Sequence, residues 1–475
     1  MENVSDWVVE EVKGVNFGDK RLNERCIDIL NSLSNKPNHS IPMACKSWKE
    51  TIAAYRFLNN DNVTHDTILS SHKSSTFERI KQENIVLIPQ DTTEIDFSGR
   101  QTISGMGYLK TEKSHGFYLH PSLAITPGGV CLGVVDFQYW VREKLGIRED
   151  RKHKAIEEKE SYCWLKGYRA ANEVALYCPD TLIISVSDRE GDIYEVLENM
   201  PSDTNKAFWL IRSNINRKAL KSTDRTELKI HEAVKASEPI GEVEFKLSAG
   251  KIYSRTMPQK RAARKERVVK QQIRACTVHL SPPQRSKKKL STISINIVHC
   301  IEIDPPSNED SVEWFLLTSV PITDAAAAIN IVKWYLCRWH IETFFKVLKS
   351  GCTVEKLQFE SLKATVNCIA LYMIISWRVL YLTMLGRICP DMECSAVFED
   401  DEWQSIYIII KKEPPPNKPP KLNDIILMIA QLGGFLNRRY DGYPGPKVMW
   451  IGLQRMRDFT LAWQTFNSIN KHTYV

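Results

Sequence analysis

The sequence predicts an α/β protein with helical segments at both ends. Three observations carry that prediction. Residues 1 to 75 show helical patterning without strand texture. From Asn84 to Ser319, short apolar runs alternate with turn signals and charged helices. Beyond Glu413–Lys421, where five of nine residues are proline, two more helical stretches close the chain. At 475 residues the chain exceeds one compact core and implies two to four domains. The expected partition is a helical domain over 1–75, a core over 76–365 with a β-rich basic insertion at about 214–313, and a helical domain over 366–475.

Taken in order, Arg21, Arg25, Lys49 and Arg56 lie along the N-terminal helices, and the polar cluster Asn35–Asn38 interrupts them. Asn84–Pro89, Phe117–Thr126 and Gly129–Phe137 read as strands, the last two joined by a Pro-Gly-Gly turn. A charged helix covers Ile156–Tyr177, then Thr181–Ser187 is a buried strand, Ile193–Asn199 a short helix and Ala207–Arg212 another strand. Within the insertion, Gly241–Leu247 and Ile293–Cys300 alternate as strands do, and Trp314–Ser319 returns to strand character. Asp324 is placed to cap one long helix that Gly351 ends. Leu422–Leu436 and Val448–Trp463 read as the closing helices.

Composition narrows the function classes. Hydrophobic residues make up 43% and charged residues 25%, as in soluble globular proteins. Net charge is +7, and its distribution says more than its size. Residues 251–290 contain 13 Lys and Arg against the single acid Glu266, a local charge of +12. Such runs are usually solvated or disordered; inside an insertion that follows a sheet, phosphate contacts are the favoured of the two readings. The twelve cysteines form no C-x-x-C pair and read as reduced thiols. The N-terminus has acids where a signal peptide needs positive charge. The apolar stretch Ala364–Leu385 contains Asn367 and Arg378 and reads as a buried core helix, so no membrane partner is expected. No G-x-x-x-x-G-K-[ST] loop is found, and no ATP is expected.

Two groups of residues point to chemistry. On the long helix, Tyr335, Arg338, Glu342, Lys346 and Lys349 fall within roughly 80° of one another at 100° per residue. Asp91 and Asp188 each follow an apolar strand, the place where ligands and metals collect in an open α/β sheet. With Glu342 they offer three hard oxygen ligands, which suits Mg²⁺, with Mn²⁺ able to substitute. Two such ions about 3.5–4 Å apart could act at a phosphodiester. Taken singly, Asp91 could cap a turn and Asp188 could pair with Arg189 at the surface. Asp96 lies beyond its strand end, and Asp192 is placed to start the next helix. His115 and His120 read as buried, hydrogen-bonded histidines.

The strings QDTTEIDF, VSDREGDIYEVL and YLCRWHIETFFKVLK resemble the three catalytic segments of the bacterial cut-and-paste DDE transposases, in the insertion-sequence-four family that includes the Tn-five transposase. Tyr335, Arg338, Glu342 and Lys349 meet the subgroup signature of Tyr, two residues, Arg, three residues, Glu, six residues, Lys. FGDKRLNER and AAYRFLNN resemble the family's DNA-binding segment, and LGGFLNRR its C-terminal helical region. The resemblance implies an RNase H-like core with Asp91, Asp188 and Glu342 as catalytic metal ligands. It implies cleavage of transposon ends through a DNA hairpin, then transfer of the 3′-hydroxyl into target DNA by a synaptic homodimer. Tyr335 and Arg338 would hold the strand beside the scissile phosphate, and Lys349 would contact terminal phosphates.

Trp314 resembles the position that stacks a flipped base, although it borders a buried strand and suits the core equally. Arg212 ends a strand and would reach the DNA or remain solvated. Lys346 would contact DNA or pair with Glu342 one turn away. Lys20, Arg21, Arg25 and Arg56 would read the double-stranded ends. The helices of 366–475 would dimerise. Two rival readings are a nuclease that cuts without strand transfer and an inactive or domesticated DNA-binding repressor. The expected location is the bacterial cytoplasm, with nucleoid association when DNA is bound.

Overall fold

The computed structural model describes residues 4–45, 47–99, 103–143, 154–199, 206–221, 227–251, 263–283, 291–307 and 309–473. Helices α1 (Asp6–Val12), α2 (Lys20–Asn35), α3 (Ile41–Ala44), α4 (Trp48–Asn59) and α5 (His65–Ile80) form the N-terminal region. Asp19, Ser47 and Thr64 accept hydrogen bonds from the amides of Arg21, Glu50 and Thr67 at the starts of α2, α4 and α5. Each satisfies a donor that the first helical turn leaves without a partner.

The apolar runs then become β1 (Ile85–Pro89), β2 (Thr93–Asp96), β3 (Gly107–Tyr108), β4 (His115–Ile125) and β5 (Cys131–Trp140). Gly129 turns the chain between β4 and β5 at φ +95°, with its amide donating to the Thr126 carbonyl. Next come α6 (Tyr162–Tyr177), β6 (Leu182–Ser187), α7 (Tyr194–Leu197) and β7 (Phe208–Arg212). The insertion holds β8 (Lys218–Lys221), β9 (Glu227–Lys229), α8 (Ile230–Lys235), β10 (Pro239–Leu247), β11 (Gly250–Lys251), β12 (Ala263–Arg264), β13 (Arg267–Leu280) and β14 (Ile293–Glu302). Strand β15 (Glu313–Thr318) leads to α9 (Ala325–Leu336), α10 (Trp339–Lys346), α11 (Leu362–Ile388), α12 (Asp400–Lys411), α13 (Leu422–Leu432) and α14 (Pro446–Thr473).

These elements form two compact units. The first comprises Met1–Glu83, Thr92–Gly146 and His340–Val475. Within it β4 pairs antiparallel with β2, β3 and β5. Helices α5 and α11 pack on β5. A Cβ on Gly133 of β5 would lie 1.9 Å from the Thr76 hydroxyl oxygen of α5, so only glycine permits that approach. Helix α11 is apolar on nearly every side, the pattern of a helix buried all round, and most of it is buried here. It is long and apolar enough to cross a membrane by composition alone, yet its side chains are spent on this core.

The second unit comprises Asn84–Asp91 and Ile147–Trp339. Strands β1, β6 and β7 run parallel as neighbours. Strand β15 pairs antiparallel with β7, and β14, β13, β8 and β9 continue outward with β10 also on β13. Helix α9 packs on β10, β13 and β14, burying Ile331 and Val332 with Ile273 and Val298.

The single long helix expected from Asp324 to Gly351 is broken twice. At Cys337 and Arg338 the amides bond back three residues, to Trp334 and Tyr335, tightening the chain before α10 begins. Residues Val347–Gly351 then form a π-helical turn. Three-residue and five-residue hydrogen-bonded turns advance the chain at different angles from an α-helix. Tyr335 and Arg338 are buried, Glu342 and Lys346 exposed, and Lys349 half-buried.

Candidate active site

The parallel register builds the site in the second unit. Pro89 lies opposite Val186, so Asp91 and Asp188 each stand two residues beyond matching positions of adjacent strands. Ser187 lies opposite Ile211, which brings Arg212 to the same level as Asp188. Two carboxylates and a guanidinium thus end three neighbouring parallel strands in one row, at the edge where open α/β sheets bind ligands. Below the row, Gln90 donates to the Ser185 hydroxyl across β1 and β6 at 3.0 Å. Gly167 of α6 faces Gln90 so closely that a Cβ would lie 2.0 Å from its amide oxygen.

Helix α9 and the turn that follows it supply Tyr335 and Arg338. Arg338 donates from Nη1 to Asp91 Oδ2 at 3.0 Å and is 8% exposed. Tyr335, 2% exposed, is hydrogen-bonded with Arg212. Burial pushes the Tyr335 phenol up, against the positive charges of Arg212 and Arg338. Burial pushes Arg212 down, with Arg189 and Arg338 acting in the same direction and Tyr335 opposing them. Arg189 thus belongs to the cluster, beyond the surface pairing with Asp188 that its sequence position suggests. Its place in the SDREGD string, beside a strand-end aspartate, was the available signal. Three guanidiniums beside two carboxylates make a site able to receive polyanionic phosphodiester.

Each aspartate also does a structural job. Asp188 accepts from the Glu190 amide at 2.8 Å, capping a short 3-10 turn. Asp192 does not start the next helix, whose first turn follows Ile193. Its buried carboxylate accepts from the amides of Asn214 and Ile215 at 2.7 and 2.9 Å and from Arg217, so it holds the loop after β7. Asp96 is an exposed residue of β2 and accepts from the Ser98 amide.

Trp314 lies in the core. It is 4% exposed, stacked on Phe245 at a centroid distance of 5.2 Å and set edge-on to Tyr335 at 5.6 Å. The stacked Phe245 occupies one ring face within the unit, which agrees with the core reading of the two that Trp314 allowed. The reason is long-range: Phe245 comes from the insertion, which the local sequence around Trp314 does not reveal.

In the first unit, Glu342 and Lys346 project from α10, and Lys349 pairs with Glu355 at 3.3 Å. Lys20 and Arg21 are well exposed at the start of α2, beside Glu24 and Asp19, and Arg25 pairs with Asp28 at 3.5 Å. Arg56 is exposed in the last turn of α4, where a cation also suits the helix dipole. His120 is buried and hydrogen-bonded as expected, whereas His115 is exposed at the start of β4 and leans on Tyr108.

Much of the basic 251–290 segment lies outside the described residues. Of its described members, Arg267 pairs with Glu302 and Glu309, Lys270 with Glu242, and Arg274 donates to the Ser237 carbonyl. Those three are tied into the insertion sheet. All twelve cysteines are free thiols, and burial pushes most of them well above the usual thiol range.

Asp91 and Asp188 present hard carboxylate oxygens at matching strand ends, the donor chemistry that Mg²⁺ or Mn²⁺ takes. Among the described residues, no group of three or more His, Cys, Asp or Glu side chains is gathered to hold a metal ion.

The carboxylate row and the arginines beside it carry chemistry suited to a nucleic-acid phosphodiester. Three family models match the chain in order: transposase DNA-binding over residues 4–63, transposase DDE domain over 195–377, and Tn5 transposase dimerisation domain over 374–469. The DDE match includes Glu342 and begins beyond Asp91 and Asp188. Among solved structures, a piggyBac transposase synaptic complex with hairpin DNA aligns over 81% of this chain and 78% of that chain. Its identity is 10% and its TM-score 0.31, a likeness too low to carry an argument. The chain belongs to the DDE transposases of the Tn5 type. It is a DNA transposase, an enzyme with DNA and a second copy as partners, in a family that uses divalent metal ions.

Proposed function

We propose that this transposase binds the inverted terminal repeats of its own element, cleaves them with Asp91, Asp188 and Glu342 as metal ligands, and joins the 3′-hydroxyl ends to target DNA. The observation that carries this reading is the register of β1 on β6, which sets Asp91 and Asp188 at matching strand ends. Two divalent ions, Mg²⁺ or Mn²⁺, would supply Lewis acidity that activates water or a 3′-hydroxyl and stabilises the leaving oxygen. The chain's own residues do the positioning. Asp91 and Asp188 stand on rigid strand ends, so their carboxylates need little reordering. Arg338, now on Asp91, and Arg212, on Tyr335, are cations that a phosphodiester strand would draw on.

Lys346 and Lys349 would contact phosphates near the ends. A DNA hairpin intermediate belongs to the same reading. Lys20, Arg21, Arg25 and Arg56 would read terminal DNA from residues 1–75, and the helices of 366–475 would hold the synaptic homodimer. The core between them, 76–365, would carry the chemistry. The protein would act in a bacterial cytoplasm, on the nucleoid, without ATP and without a membrane.

The test uses the full chain, Mg²⁺ and duplex DNA carrying the inverted repeats that flank its coding region. Wild-type protein should cut the ends and yield joined product, and Asp188→Asn and Glu342→Gln should bind the ends without cutting, with cleavage down at least about 10³-fold. Cleavage surviving either substitution would overturn the assignment of ligands. Cutting without joined product would make the protein a nuclease.

A further inference from the structure

Asp91 is the last residue of its unit's first segment, and the chain beyond it enters the antiparallel ladder of β2 on β4. Thr93 lies opposite Leu119 in that ladder, so Thr92 falls opposite His120, one step beyond the last paired position. The side chains close that step: the Thr92 hydroxyl and His120 Nδ1 are hydrogen-bonded at 2.8 Å. His120 is 0% exposed in the middle of β4 and opposite Gln138 of β5, with its ring tilted against Trp140. Nothing in the phosphodiester chemistry uses it.

An imidazole taken wholly out of water costs free energy unless hydrogen-bonded. A sheet interior ordinarily avoids that cost by placing an apolar side chain at such a position. One face of β4 follows that rule, with Leu119, Leu123 and Ile125 all buried. Two polar side chains on the other face of β4, His120 and Ser122, are equally buried, and His120 is the one hydrogen-bonded to the residue that follows Asp91. Thr92 is covalently next to Asp91, so anchoring its side chain restricts the backbone from which the Asp91 carboxylate projects. Hydrogen bonds one shell out from a ligand tune affinity by about 10–100-fold in metal sites generally.

We infer that His120 and Thr92 form a positioning pair for Asp91, with the buried imidazole clamping the Thr92 hydroxyl and so fixing the backbone that aims the carboxylate. This rests on the reading of Asp91 as a metal ligand. Burial pushes the imidazole down to about 3, so the clamp is a neutral hydrogen bond.

The experiment uses the full chain on inverted-repeat DNA and two readouts: Mn²⁺ affinity of the protein–DNA complex by electron paramagnetic resonance, and the Mg²⁺ concentration giving half-maximal cleavage. Thr92→Val keeps shape and loses the hydroxyl. It should weaken Mn²⁺ binding about tenfold and raise the Mg²⁺ requirement about tenfold, with DNA affinity and melting temperature unchanged. Thr92→Ser should recover most of the loss, as should His120→Asn, whose amide reaches the Nδ1 position. His120→Ala combined with Thr92→Val should do no more than the worse of the two, because one interaction is removed twice. Wild-type Mn²⁺ affinity in Thr92→Val, or additive losses in the pair, would overturn the clamp. Asp91→Asn separates the two ideas. If it abolishes Mn²⁺ binding while Thr92→Val binds normally, only the clamp fails; if Asp91→Asn binds Mn²⁺ and cleaves normally, the ligand reading fails with it.

Discussion

Glu11 lies at the centre of a buried polar network in the first unit, and replacing it with glutamine tests how the N-terminal helices are held. Arg79 Nη1 donates to Glu11 Oε1 at 2.7 Å and its Nη2 to Oε2 at 3.3 Å. His72 is 0% exposed, with Nδ1 at 2.5 Å from Glu11 Oε2 and Nε2 at 3.0 Å from the Val134 amide nitrogen. Because Nε2 must accept from that amide, the ring is neutral with its proton on Nδ1, and it donates to Glu11. Arg79 also donates to the Leu132 carbonyl and lies over the Trp377 ring at 4.4 Å. The network therefore ties α1 and α5 to β5 and α11.

Burial alone would push the Glu11 carboxyl up, but the charges and hydrogen bonds of His72 and Arg79 outweigh it and bring it down from 4.5 to about 2. At about 1.4 kcal/mol per pKa step, that difference corresponds to about 3 kcal/mol. Burial holds His72 down as a neutral ring, so the attraction of an imidazolium drops out and about 2–3 kcal/mol is the better figure. The sign follows from a depressed carboxylate: the stability is present above pH 4.5 and is lost as pH falls through about 2. Glu11→Gln should therefore cost about 2–3 kcal/mol at pH 7, with the gap to wild type closing as pH falls toward 2.

Urea denaturation at several pH values measures the gap, and hydrogen exchange localises it to peptides of α1, α5 and β5. A substitution that costs under about 0.5 kcal/mol at pH 7, or a gap that does not change with pH, would refute the network's role.

Two further outcomes follow from burial and exposure elsewhere. Trp314→Ala should destabilise the second unit by about 3–5 kcal/mol in chemical denaturation, since it removes a ring packed between Phe245 and Tyr335. Trp314→Phe should cost less, and DNA affinity should change little in either if the ring stays in the core. Lys20 and Arg21 are exposed on α2, so removing either should lower the slope of log binding constant against log salt by about 0.9. A slope that does not change would take that residue out of the DNA contact.

Much of the fold is legible along the chain because its signals are local. The apolar runs at Asn84, Thr181 and Ala207 are β1, β6 and β7, and Asp324 caps α9 through the Ala327 amide as its position before an alanine run predicts. The Pro-Gly-Gly turn is where the chain reverses between β4 and β5, because a positive φ at Gly129 needs a residue without Cβ. The helix bearing Tyr335 to Lys349 shows the limit of such signals. Its residue spacing is visible, while two changes of helical pitch, at Cys337–Arg338 and Val347–Gly351, are not. Asp192 escapes local signals for a related reason, since its partner Arg217 lies 25 residues farther along; Phe245, on which Trp314 stacks, lies 69 residues back.

Read alone, the chain establishes residue types, their spacing and the kind of element each stretch forms, since helix and strand periods are written within a few residues. That was enough to single out Asp91, Asp188 and Glu342 and the Tyr-Arg-Glu-Lys pattern. It did not establish that Asp91, Asp188 and Arg212 stand level on three adjacent strands, that Arg338 sits on Asp91, or that His120 grips Thr92. Those are matters of register and packing. A one-residue slip of β1 on β6 would turn every side chain to the opposite face, so the register is set by burial across the whole sheet. The tertiary structure alone expresses that sum of contacts.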